Sequence, residues 1–156
     1  MRQRNKNVFM KKMFALAITA VMALAAAHAQ KAEVFNEGGI AIHGYDAVAY
    51  FIKSQPVKGD SKFAYKWNNA TWYFADQQDL DMFKSNPEKY SPQYGGYCAY
   101  GVSVNHKAST KPEAWSIVNG KLYLNYNTDV QATWKKDQAK RINDADKIWP
   151  AIKDKE

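Results

Sequence analysis

The residue pattern predicts an α+β fold: a small single domain of short antiparallel β-hairpins packed against three or so helices. Two strand-favouring stretches are each split by a short turn. Apolar residues recur three or four positions apart in later segments, as amphipathic helices require. The order of these segments lacks the alternating rhythm of parallel β-α-β units.

The elements follow along the chain. Ile40-Ala41-Ile42 is a short apolar stretch ending at His43-Gly44, and Asp46 can cap a brief helical segment over 47–51. Pro56 and Gly59 mark a loop over 55–60. Phe63 to Trp67 alternates, Asn68-Asn69 turns the chain, and Thr71 to Phe74 returns as the second strand of a hairpin. Asp76 opens a helix, with Asp79 three residues on in a capping-box-like place; Leu80 and Phe83 share a face, and Pro87 marks the end. Residues 91–101, dense in glycine, proline and tyrosine, are expected to be irregular. Asn119-Gly120 between Trp115–Val118 and Lys121–Leu124 is the strongest hairpin signal in the chain. Val130 and Trp134 share one face of a following helix, and Ile142, Ala145, Ile148, Trp149 and Ile152 line the last one, near Pro150. This reading finds no internal repeat and no low-complexity segment.

Residues 1–29 read as a cleavable secretory signal. Arg2, Arg4, Lys6, Lys11 and Lys12 precede an apolar run from Met13 to Ala26, and Ala27-His28-Ala29 supplies a small-residue cleavage site. Cleavage after Ala29 would leave a domain of residues 30–156. The apolar run is shorter than the roughly 20 residues of a membrane span, so no span is expected after cleavage. Without an Arg-Arg pair, export by a Sec-type route to the periplasm or outside the cell is the expectation. The leader also carries five of the 22 Lys and Arg, which leaves 17 against 15 Asp and Glu, a net +2 in place of +7. No clustered basic run survives, so a nucleic-acid partner is excluded.

Tyr73-Phe74-Ala75-Asp76, Phe83, and Asn86-Pro87-Glu88-Lys89-Tyr90 resemble the core of the YHS domain family. The exported, periplasmic branch of that family is similar over more of the chain: Gly44 to Phe51, Tyr94 to Ala99, and Trp115 to Tyr126, together spanning roughly residues 40–150. The resemblance implies a small metal-binding module of bacterial type, found in the family beside metal-transport and oxygenase domains. The family's cysteine pair, however, falls here on Ala75 and Asp79, so a soft-metal site of that design is not expected. Some members of the exported branch carry selenocysteine at the position matching Cys98, and the resemblance there points to redox chemistry or soft-metal capture.

Cys98, the single cysteine, follows Gly95-Gly96, whose backbone freedom could present a side chain from a tight turn. Two readings stay open: a redox thiol needing a nearby cation, histidine or helix N-terminus, and a buried structural cysteine behaving as a small apolar residue. His43 and His106 are the histidines left after processing. With Cys98 they could hold copper or zinc and leave a fourth position open; equally, both could be surface residues flanking turns. Asp46, Asp76 and Asp79 read first as capping residues. Tyr94, Tyr97 and Tyr100 could line a pocket or pack. Ser103 lacks a nucleophile elbow, and no cofactor fingerprint is present.

These residues support an exported YHS-type accessory protein, not a classical enzyme, that takes a metal ion or a small thiol-reactive ligand through Cys98. The alternative is a non-catalytic ligand- or partner-binding domain with a structural cysteine.

Overall fold

Two hairpins build most of the sheet structure in the computed structural model, which describes residues 33–155. The expected leader, its cleavage point and Gln30 lie outside the described residues. Strand β3 (Asp60–Trp67) returns through Asn68 and Asn69, both in the left-handed region (φ 48° and 60°), into β4 (Ala70–Phe74). Asparagine tolerates that conformation, which matches the twist of the two strands. Along β4 the residues Ala70, Trp72 and Phe74 point inward, as the alternation requires. Strands β5 (Trp115–Val118) and β6 (Lys121–Leu124) meet through Asn119 and Gly120 with the same left-handed pair of angles.

A third pair was not foreseen. Strand β1 (Asn36–Glu37) turns back into β2 (Ile40–Ala41), which lies parallel to β4 at Ile40 and Thr71. The sheet order is β1-β2-β4-β3, with β5-β6 as a separate ribbon.

Three helices of nine residues or more pack on these strands: α2 (Gln77–Ser85), α5 (Thr128–Lys136) and α6 (Gln138–Ile152). Asp76 caps α2 through the N–H of Asp79, and Asn127 caps α5 through the N–H of Val130. Shorter helices are α1 (Ala49–Ile52), α3 (Pro87–Tyr90) and α4 (Ala99–Ser103). The class is therefore α+β. The segment over 91–101, expected to be irregular, is kinked through Gln93–Gly96, where Tyr94 and Gly95 leave helical angles, and is regular only from the start of α4 at Ala99.

The described residues also repeat themselves, contrary to the sequence reading. A 3₁₀ turn, a short helix, a β-hairpin, a nine-residue helix and a further helix run from Ile42 to Tyr90, and the same order recurs from Gln93 to Ile152. Both runs carry Gly-Tyr-x-Ala after the turn, at Gly44–Ala47 and Gly96–Ala99. One apolar cluster gathers Trp72, Phe74, Leu80 and Phe83 with Leu122 and Leu124, and a second gathers Tyr94, Tyr97, Val102 and Trp134 with Tyr123. Strand β6 serves both clusters because its successive side chains face opposite ways.

Candidate functional site

The segment leading to Cys98 is shaped by close packing. Tyr94, Gly95 and Gly96 all take positive φ (56°, 60° and 87°). A Cβ on Gly95 would sit 1.8 Å from the Glu33 carbonyl oxygen, and one on Gly96 would sit 2.7 Å from Ile42 Cγ2. The glycines thus let the chain press against 33–42. Tyr94 and Tyr97 are buried in the second apolar cluster, with Tyr100 packed at its edge.

Cys98 is 1% exposed and stands at the N-cap of α4. Its Sγ accepts from the N–H of Gly101 (3.4 Å) and of Tyr126 (3.3 Å), and faces Asn125 Oδ1 at 3.8 Å. Its own N–H donates to the Ala108 carbonyl (3.0 Å). Burial pushes the thiol up from its ordinary range, while the N–H groups of Gly101, Tyr126 and Tyr100 pull against that rise.

Asp46 occupies the matching seat in the first run. It is fully buried, with Oδ1 accepting from Val48 N (2.8 Å) and Ala49 N (3.2 Å), and Oδ2 from Ala75 N (2.8 Å). Its N–H donates to the Val57 carbonyl (2.9 Å). Each residue therefore ties the loop before its hairpin, the first turn of its short helix and the chain just after its hairpin. Such a seat asks for a small acceptor, which a carboxylate or a sulfur can supply. The sequence reads Asp46 as a helix cap; the N-cap of α1 is Val48, and Asp46 instead closes the turn that leads into the helix.

The histidines lie apart from this seat. His43 Nε2 lies 2.7 Å from the Thr110 carbonyl oxygen and Nδ1 lies 3.0 Å from Glu37 Oε2, so both ring nitrogens are engaged. His106 is exposed; its backbone N–H donates to Gly101 O (2.9 Å). Among the described residues, no group of three His, Cys, Asp or Glu side chains is placed to hold a metal. An open, polar groove is lined by Glu37, His43, Lys58, Asp60, Ser61 and Tyr73. Lys58 crosses it, its Nζ donating to the His43 carbonyl (2.5 Å) and lying 4.8 Å from the Tyr45 ring centre.

Sequence reasoning missed a second cluster. Asp79 is 1% exposed. Lys53 Nζ lies 2.7 Å from Asp79 Oδ2 and 3.2 Å from Asp76 Oδ2. The available signal was chain length: aspartate is shorter than the glutamate or glutamine that closes a capping box. No helix among the described residues is long and apolar enough to cross a membrane. No family model matches the chain, and neither the curated proteins nor the solved structures give a match.

Proposed function

We propose that this chain is an exported, YHS-like accessory domain that binds a ligand or partner without chemistry at its cysteine. The observation that carries this reading is the seat shared by Asp46 and Cys98. In one run a carboxylate accepts the N–H groups of the short helix and of the residue after the hairpin, and in the other a sulfur does the same work. Burial of Cys98 supports a structural thiol, since thiolate chemistry needs access and an electropositive setting. Support for a ligand or partner comes from the polar groove around His43 and Lys58.

A second reading, thiol or metal chemistry at Cys98, draws on the N–H groups aimed at the sulfur, which would favour a thiolate once it were opened to solvent. Titration with copper and zinc separates the two. The wild type and Cys98→Ser are expected to give the same isotherms, without a stoichiometric site. A site near one equivalent in the wild type that disappears in Cys98→Ser would overturn the structural reading.

A further inference from the structure

We propose that residues 106–110 form a strap over the seat of Cys98, pinned by Lys107 to the end of α6. Freeing the pin opens this seat while the rest of the domain stays folded. The segment has no regular secondary structure and leaves α4 through an exposed turn at Val104 and Asn105. It then lies back on the first turn of α4. A Cβ on Gly101 would sit 2.8 Å from the His106 carbonyl oxygen and 3.6 Å from the β-carbons of both Ala108 and Cys98. The Ala108 carbonyl takes the Cys98 N–H (3.0 Å), and the Thr110 hydroxyl donates to the Gly96 carbonyl (3.1 Å).

Lys107 supplies the hold. It is 5% exposed, between an exposed His106 and a half-buried Ala108. Its Nζ donates to the carbonyls of Lys153 (2.7 Å) and Lys155 (3.0 Å), just beyond the end of α6. The same ammonium lies 4.6 Å from the Tyr97 ring centre and 5.9 Å from that of Trp149. The last carbonyls of a helix lack partners within it, and the last turn of α6 carries no basic side chain of its own. Lys107 fills that place from another segment. To lift the strap, the charge has to leave two aromatic faces and two acceptors together, so the strap moves only with the end of α6.

The first run is the internal comparison. There Lys58 lies 4.8 Å from the ring centre of Tyr45, the tyrosine that matches Tyr97 in Gly-Tyr-x-Ala. Its strap is held by main chain: the Gly59 N–H donates to the Gly44 carbonyl (2.9 Å), and Tyr45 and Lys58 form a β-bridge. In the second run the matching carbonyl, that of Gly96, is met by a hydroxyl, and the lysine is buried against the end of α6. The second strap therefore depends on side chains, above all on one.

The test labels Cys98 with iodoacetamide in the full chain, at one pH, over denaturant concentrations below the unfolding transition. Lys107→Met keeps the length of the stem and removes the donors. Without denaturant, this variant is expected to label at least about tenfold faster than its own unfolding equilibrium allows. Its rate is expected to be nearly flat in denaturant, because local opening exposes little surface. The wild type keeps the full dependence on denaturant. A variant whose labelling rises only as its global stability falls, with the wild-type slope, would overturn the strap and leave the buried thiol standing. The strap rests on that buried thiol, so fast labelling of the wild type overturns both. Should Lys107→Met not fold, the shorter and uncharged Lys107→Gln is judged by the same two outcomes.

Discussion

Phe83→Ala is expected to lower stability by about 3–5 kcal/mol, enough to drop Tm by about 10–20 °C for a domain of this size. Phe83 is fully buried, and the rings of Trp72 and Phe74 each lie 5.0 Å from it, centre to centre. Trp67 approaches edge-on at 5.8 Å. An alanine would remove the piece of α2 that these strand residues close around, and rings anchored in β3 and β4 cannot collapse far into the space. Thermal unfolding by circular dichroism would measure the loss. A drop under about 1 kcal/mol would mean that α2 is not the lid of this cluster.

Asp46→Ala carries the second large effect, about 3–5 kcal/mol. It strands the N–H groups of Val48, Ala49 and Ala75 in a buried place. Cys98→Ala removes sulfur contacts of 3.3–3.4 Å, which are weaker acceptors, and should cost about 1–2 kcal/mol. Denaturant midpoints of the two variants give the ranking directly. An equal or larger loss at position 98 would show that the carboxylate is not the stronger tie.

What was legible in the sequence was local. Asn68-Asn69 and Asn119-Gly120 announced their hairpins because left-handed turns select those residues. Asp76 announced α2 because a cap lies within three residues of the N–H it serves. The parallel pairing of Ile40 with Thr71 joins segments with no local signature, so it stayed hidden. The repeat stayed hidden as well, since the two runs share little beyond Gly-Tyr-x-Ala, and their equivalent seats hold Asp46 and Cys98, chemically unlike side chains.

The candidate site shows the same division. Gly95-Gly96 was read as presenting Cys98, yet those glycines serve close packing against Glu33 and Ile42. Nothing in the spacing of Cys98, His43 and His106 revealed that His43 was committed to Thr110 and Glu37, because those contacts cross the fold. The ion pair of Lys53 with Asp79 was invisible for a similar reason. The two lie 26 positions apart and meet only in the folded chain.

The structural assignment of Cys98 is tested most directly by its rate of alkylation with iodoacetamide in the folded protein across about pH 5 to 9, beside the denatured chain. The shared-seat account predicts labelling at least about a thousandfold slower than in denaturant, accelerating with added denaturant as the global unfolding equilibrium does. Labelling within about tenfold of the denatured rate, with an inflection below the ordinary thiol range, would contradict it and return Cys98 to chemistry.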